Sequence, residues 1–528
     1  MKKKHLALIL SLPLSTLSFM QSISAAPLPL NKEDHGKWMA GEYHVHTYQS
    51  DDAQYSLTNA MDLGFNKYGL DWMATSDHLR MEKRDDEGKE IPGGPIPLSK
   101  GMAQYQIPKI KALQDAGKYP GKIMFTSFEW DIPTYEHAGV GLMTDKPNSP
   151  ELLKAASEFE YLFTNREAKY FDPTDIAKWE AKNSRAFTTP EDARKAFKWL
   201  EANMRNNSFL IFNHPSRKTV YTIADFRDFN NIAPNVAFGF EGMVGNQMEP
   251  DRGGLNLETP QNRTYGGSDY MLAKLGGAWD AMLGEGRHFW NFSNSDAHFY
   301  ISDNRLYSSG YAPGQYSKNY TYVKGNDMQD VMKGMRSGKS FSVFGDLINA
   351  LDFKAGKGGQ RAEMGETLKA KRGDVITLKI RFKSPKLNNN GDPVKVDHID
   401  LISGVVKGKA QPGTDAYNNE TNGSTKVLKR FTSKDWKLTK DGYYEMSYPV
   451  KVTEKDMYFR LRGTNLGVNV EGETLNGEPL VDVKTTTEDN EARFKEINER
   501  NYNDLWFYSN PIFVDSKSKQ DEKGHGRN

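Results

Sequence analysis

The sequence contains no cysteine. Disulfides, thiolate nucleophiles and Cys-rich zinc sites are therefore excluded, and any metal must be held by His, Asp, Glu, backbone oxygen or water. Such ligands suit zinc, manganese or iron, and magnesium where oxygen dominates. Net charge is equally scarce: 70 basic residues against 69 acidic ones leave +1. Without a basic excess, the chain implies no nucleic-acid partner and no general attraction to an anionic membrane. Long apolar runs are missing beyond the N-terminus, so no transmembrane segment is expected once a signal is removed. The glycine pairs Gly93-Gly94 and Gly266-Gly267 lack phosphate-loop spacing and read as turns. No short-period internal repeat is evident.

At the N-terminus, Lys2, Lys3 and Lys4 precede a mostly apolar stretch, and Ser22, Ala25 and Ala26 supply small residues for cleavage. Residues 1–26 read as a secretory signal peptide, which predicts a periplasmic or secreted protein. An uncleaved anchor is the alternative, but the run is short and Pro13 interrupts it. With 528 residues, 37% hydrophobic and 26% charged, the chain is sized and composed for two soluble globular domains.

His44 and His46 stand two residues apart in a stretch with strand character. Positions i and i+2 of a strand share a face, so both rings reach one ion. Asp51 follows where the chain must turn. The same event recurs down the chain. An apolar strand at 70–75 ends in Asp77 and His78, and one at 122–128 ends in Glu129. Strands at 209–212 and 237–240 end in His214 and Glu241, and one at 288–292 leads to Asp296 and His298. His137 is the exception, because it stands at the front of its apolar run. Helical stretches lie between, at 58–67, 102–116 and 276–286, and from Thr189, where Ala193, Ala196, Phe197 and Leu200 recur at the helical period. This alternation predicts an α/β fold, a parallel sheet or barrel with its working residues at the carboxyl ends of the strands. Residues 143–187 form a long insertion with few signals, a candidate for substrate contacts.

From about Asp346 the pattern changes to alternating strands at 375–382, 396–402, 443–452 and 457–462, with a last strand at 505–514. Glycine, Asn and Pro separate them. This predicts an all-β, immunoglobulin-like sandwich over 346–515, after an α/β domain over 38–345 and before a charged, disordered tail over 516–528.

Six of the 11 histidines occupy the positions described, accompanied by Asp51, Asp77, Glu129, Glu241 and Asp296, and the set points to metal binding. In order, His-x-His, Asp-His, Glu, His, Asn-His-Pro and Ser-Asp-x-His resemble the PHP (polymerase and histidinol phosphatase) superfamily. Trp279-Asp280, Leu283 and Gly286, followed by Ser295-Asp296-Ala297-His298, resemble its carbaryl-hydrolase-like branch. So do Arg336-Ser337-Gly338-Lys339-Ser340-Phe341 and Ser509-Asn510-Pro511-Ile512-Phe513-Val514. The resemblance implies a distorted seven-stranded (β/α) PHP barrel with two or three divalent metal ions, zinc, manganese or iron, in its mouth. It implies that His44, His46, Glu129 and Asp296 hold the first metal. Glu129 would bridge to a second, held also by His137 and His214, and Asp51, His78 and His298 would form a third site.

Two neighbouring cations lower the pKa of a bridging water from about 15.7 towards neutrality and so yield a hydroxide nucleophile without Ser or Cys. They also stabilise the negative charge that grows in the transition state. A phosphate mono- or diester suits this arrangement, which makes a small phosphorylated ester the leading substrate. A carboxyl ester or carbamate is open to the same attack. A third reading is non-enzymatic: a surface protein whose sandwich binds a polymer while the metals serve structure. In the enzymatic readings Asp77, Glu129 and Asp296 carry the catalytic roles. Asp77 either serves a water or the leaving group, or is a turn aspartate that fixes its loop. Arg217 and Lys218 either clamp a substrate anion or are a solvated pair. Glu241 reads as support to a ligand, and Trp130 and Tyr135 as candidate pocket walls. His35, His288 and His398 match no motif.

Overall fold

A computed structural model describes residues 36–142, 150–218, 220–254, 259–298, 310–453 and 455–516. The signal expected over 1–26, His35 and nearly all of the tail expected over 516–528 lie outside the described residues. The fold is mixed α/β. The strand Lys37–Glu42 pairs in parallel with Trp72–Thr75, which pairs in parallel with Ile123–Thr126. After Ser127 the chain resumes as Phe128–Asp131, paired antiparallel with His137–Leu142, and that strand pairs antiparallel with Ser208–Phe212. Ala237–Met243 and then Trp290–Ser293 add in parallel. Isolated parallel bridges join His78 to Glu129 and Val45 to Ala297, and the second brings the end of this series back beside its beginning.

The reversed direction of His137–Leu142 explains the one misplaced histidine of the sequence pattern. A strand running against its neighbours starts where they finish, so His137 at its first position lies at the same end as His78 and His214.

Helices connect the strands, with starts that the sequence encodes. Pro190–Met204 begins with a capping box in which the Thr189 hydroxyl accepts from Asp192 N while the Asp192 carboxylate accepts from Thr189 N. Ile223–Ile232 repeats the device with Thr222 and Asp225; no helix was expected there. Apolar positions of these helices, Phe197 and Phe229 among them, stack at 4.2 Å between ring centres and meet Phe212 of the adjacent strand. The insertion is not structureless: it carries the helices Pro150–Phe163 and Pro173–Glu180. Trp130, expected at a pocket wall, packs against Phe159 of that first helix and lines a cleft with Asp131 and Arg166, not the cleft of the histidines.

Beyond residue 345, apart from the short pair Thr474–Leu475 and Glu478–Pro479, the strands fall into two sets. Gln360–Glu363, Ala350–Lys357, Val375–Lys383, Tyr444–Lys451 and Lys437–Leu438 form a five-stranded antiparallel sheet. In Val375–Lys383 burial alternates residue by residue, with Ile376, Leu378, Ile380 and Phe382 inward, the signature of a sheet covered on one face. The second set, Lys426–Thr432, His398–Val406 and Asp456–Thr464, continues through Trp506–Ser509 into Ser340–Phe344 and on to Ser317–Val323 and Lys37–Glu42. The sheet thus runs across residue 345 without a break in pairing. The single last strand expected over 505–514 is two strands, Trp506–Ser509 and Ile512–Asp515, because Pro511 lacks the N–H that a continuous ladder needs.

Candidate metal centre

Six histidines and three carboxylates meet where the first series of strands ends. His44 Nε2 lies 3.1 Å from His46 Nε2, 3.2 Å from Glu129 Oε1 and 3.1 Å from Asp296 Oδ1. Glu129 sits at the middle: its oxygens also approach His78 Nδ1 at 3.0 Å, His137 Nδ1 at 3.2 Å and His214 Nε2 at 3.5 Å. His298 Nδ1 is 3.3 Å from Asp296 Oδ1. Donor atoms within 4.8 Å of one another form the sets His44/His46/Asp296, Glu129/His137/His214 and His46/His78/His298. His78, Asp131 and His137 form a further set, but there Arg80 holds the Asp131 carboxylate through two hydrogen bonds, of 2.9 and 2.7 Å.

The hydrogen bonds behind the rings fix which nitrogen faces the cluster. Glu241 is an acceptor only and lies 3.1 Å from His44 Nδ1, so His44 keeps its Nε2 lone pair forward. Ser50 Oγ has one hydrogen, which goes to Asp77 Oδ1 at 2.8 Å. It must therefore accept from His46 Nδ1 at 2.9 Å, which leaves His46 Nε2 as the forward acceptor. Asp131 stands behind His137, with Oδ1 3.0 Å from Nε2. Asn213 donates to Glu129 Oε1 at 2.8 Å, and Asn246 donates to Asp296 Oδ2 at 2.6 Å. None of Ser50, Asp131, Asn213 or Asn246 was singled out from sequence. Asn213 was nevertheless inside the quoted Asn-His-Pro motif.

Electrostatics make the cluster a place that demands positive charge. Burial pushes the Glu129 carboxyl up, yet the charges of His137 and His44 outweigh it and hold the group well below the usual carboxylate range. Asp296 is held low against burial by His44 and His298. Burial disfavours protonated His44, but Asp296, Glu129 and Glu241 outweigh it and raise that ring well above its ordinary value. His46 goes the other way, down to about 3, through burial and the neighbouring His298. The backbone is also strained here: His214 and Asp296 have φ of +30° and +49°, in the region that residues with a Cβ rarely adopt.

Two expectations are corrected. Asp51 is exposed and pairs with Lys83 Nζ at 3.0 Å, away from the cluster. Its neighbour Asp52 takes the place, with Oδ2 3.2 Å from His78 Nε2 and Oδ1 3.8 Å from His298 Nε2. In a tight turn, successive side chains diverge, and although both acids are about equally exposed only the second reaches the cleft. Asp77 is not aimed at the cluster. Its two oxygens accept from Thr47 N and Oγ1, Ser50 N and Oγ, and Gln106 Nε2. Asp77 is the turn aspartate that fixes the 47–50 loop, and its bonding capacity is filled. Tyr135, the other expected pocket wall, donates to Asp225 at 2.7 Å and stacks on Tyr221.

Arg217 separates from Lys218. Half-exposed Lys218 pairs at 2.8 Å with Glu136, a buried acid that lies 3.6 Å from both His137 Nδ1 and His214 Nδ1, while Arg217 turns into a cleft of about 200 Å³, with Nη2 3.5 Å from Asp296 Oδ2. Asp52, Glu129, Arg217, Asn246, Glu249 and Asp296 line the cleft, together with four of the histidines, His78, His137, His214 and His298. Several of its polar atoms are buried without a hydrogen-bond partner: Asp296 Oδ1, His214 Nδ1, and Arg217 Nε and Nη2. Unmet nitrogen and oxygen donors around strongly held carboxylates suit divalent cations of the zinc, manganese or iron type.

No family model matches the chain, and no curated protein does. Among solved structures, the chain is similar to a two-domain protein containing a predicted PHP-like metal-dependent phosphoesterase from Bacteroides vulgatus. The match covers 83% of this chain and 95% of that one, at 10% identity and a TM-score of 0.33.

Proposed function

We propose that the protein is an exported, metal-dependent hydrolase of the PHP type, and a phosphoesterase in particular. One observation carries the reading: His44, His46, Glu129, His137, His214 and Asp296, drawn from five separate strand ends, meet within hydrogen-bonding distance of one another. The cyclic series of seven strands, with 128–131 continuing 123–126, supports a distorted barrel over 38–345. The two later strand sets support a sandwich over 346–515. The motifs at 279–298, 336–341 and 509–514 support the carbaryl-hydrolase-like branch.

In this reading His44, His46, Glu129 and Asp296 hold one divalent ion, and Glu129, His137 and His214 a second. Asp52, His78 and His298 provide a third position. Bound there, divalent ions supply an acidified water and a counter-charge for the substrate's oxygens. The chain does the rest. Glu241, Ser50 and Asp131 lock the ligand rings in one tautomer and one orientation. Arg217 Nε and Nη2 make no hydrogen bond and are available to a substrate anion, which favours a phosphate over a neutral ester or carbamate.

Metal analysis of the purified protein, followed by assays on aryl phosphate mono- and diesters, aryl esters and aryl carbamates with and without chelator, tests the proposal. Expected are at least two metal equivalents and chelator-sensitive hydrolysis of the phosphates. Preferential cleavage of the ester or carbamate would shift the substrate class. No turnover with tight metal retention would favour a metal-stabilised binding protein.

A further inference from the structure

We propose that Glu249 is the general acid of this site, delivering its proton to the leaving-group oxygen of an ester whose anionic part is seated on Arg217. The inference rests on the hydrolase reading above and adds a residue that sequence reasoning did not find.

Four carboxylates line the cleft. Glu129 and Asp296 face histidine nitrogens, and Asp52 is paired with His78. Glu249 is different: among the described residues its carboxylate has no hydrogen-bond or ion-pair partner. It lines the cleft together with Arg217 and Asn246. Arg217 Nε and Nη2 and Asn246 Oδ1 are buried without a hydrogen-bond partner, although Nη2 lies 3.5 Å from Asp296 Oδ2, so these residues keep donors and an acceptor open to a ligand in the cleft.

The loop that carries Glu249 is held from several sides. Gly245 N donates to Glu241 at 3.0 Å, Asn246 N to Ser295 O at 3.1 Å, and Glu249 N to Asn246 O at 2.9 Å. Gln247 Nε2 reaches the carbonyls of Val244, Arg252 and Gly267. Behind them, fully buried Arg252 pairs with Asp482 and Asp504. A carboxyl on so firmly anchored a loop is placed for one atom of the substrate. Burial raises the Glu249 carboxyl to about 8. Arg217 and Lys484 pull it down, while Asp251 and Asp296 push it further up. The acid form is therefore the one present at neutral pH.

The step balances. A hydroxide oxygen bonds to phosphorus, and the bond from phosphorus to the leaving oxygen breaks with its electron pair. The Glu249 proton moves to that oxygen, so an alcohol departs and a carboxylate remains. A proton from the next water restores the acid.

The test compares metal-loaded wild type and Glu249→Gln on phenyl phosphate and on 4-nitrophenyl phosphate, whose leaving group departs without a proton. The variant should lose about 10²–10⁴-fold on phenyl phosphate and only a few-fold on the nitrophenyl ester. The fall of kcat/KM above about pH 8 should vanish in the variant while metal content is unchanged. Equal losses on both esters, or an alkaline fall that survives, would overturn the proposal. If wild type cleaves neither ester, the hydrolase reading fails instead. Infrared titration then decides on Glu249 alone: a protonated carboxyl band at neutral pH, missing from the variant, supports it, and no such band overturns it.

Discussion

A hydroxyl carries one hydrogen, and at Ser50 that fact sets the chemistry of a neighbouring ring. Because the hydrogen goes to Asp77, the oxygen accepts from His46 Nδ1 and also from His78 N at 3.1 Å. Ser50→Ala removes the acceptor behind His46 and frees the ring to turn or change tautomer. Metal affinity should fall by about 10–100-fold, the usual consequence of removing such a partner. Competitive titration with a coloured chelator measures it, and unchanged affinity would show that the ring is held by other contacts. Legibility at this scale followed regularity. His44 and His46 were readable because a strand has a fixed period of two. Asp51 was chosen over Asp52 because a turn has none, and the acid that reaches the cleft is decided by the backbone path. Asp131 escaped notice since its effect passes through His137. Glu249 escaped for another reason: it lies well past a strand end, on a loop with no motif of its own.

Among the elements, the loop after Ala237–Met243 is the one that the site leans on. Gly245 lies so close to the Ser295–Asp296 backbone that a Cβ there would sit 2.3 Å from Asp296 Cβ and 2.5 Å from Ser295 O. Neither neighbour is a flexible side-chain end, so Gly245→Ala must move the strained Asp296 backbone or the loop itself. Overpacking of this kind costs about 1–3 kcal/mol. The variant should melt lower and also lose bound metal, since Asp296 belongs to the His44/His46 set. Elemental analysis beside a thermal melt separates the two effects, and wild-type metal content in the variant would show that the loop yields without disturbing Asp296. The helices and strands themselves were mostly legible where amphipathic period or capping spoke, as at Thr189. Helices 150–163, 173–180, 223–232, 328–337 and 490–503 were not expected; the Thr222–Asp225 capping box and Ile223, Phe226 and Phe229 at helical spacing were the available signal for the third, whereas the last is largely charged and polar.

For the whole molecule, the change of pattern near Asp346 is a change of strand chemistry within one continuous sheet. Ser340–Phe344 pairs with Trp506–Ser509, and buried ion pairs cross between the two parts of the sequence. Asp280 on helix Ala278–Leu283 receives two hydrogen bonds from Arg460, at 2.9 and 2.7 Å, with both groups almost wholly buried. Arg252 meets Asp482 and Asp504 in the same way. Removing one member of such a pair strands a buried charge, at a cost of about 3–5 kcal/mol. Sequence alone could not show this, because neither Arg252 nor Arg460 lies in a motif and their partners are far along the chain. A fragment ending at residue 345 would lose both acid partners of Arg252 and the Arg460 and Tyr458 partners of Asp280 at once, together with the neighbour strand Trp506–Ser509 of Ser340–Phe344. It should therefore fail to fold cooperatively, and hydrolase activity should vanish with it. In the full chain Arg252→Met should remain folded but unfold at lower denaturant, because it strands two buried carboxylates, Asp482 and Asp504. It should weaken kcat more than metal binding, because the loop bearing Glu249 is released while the histidines stay in place. A cooperative denaturant transition with bound metal in the 36–345 fragment would show instead that the strands before residue 345 stand on their own.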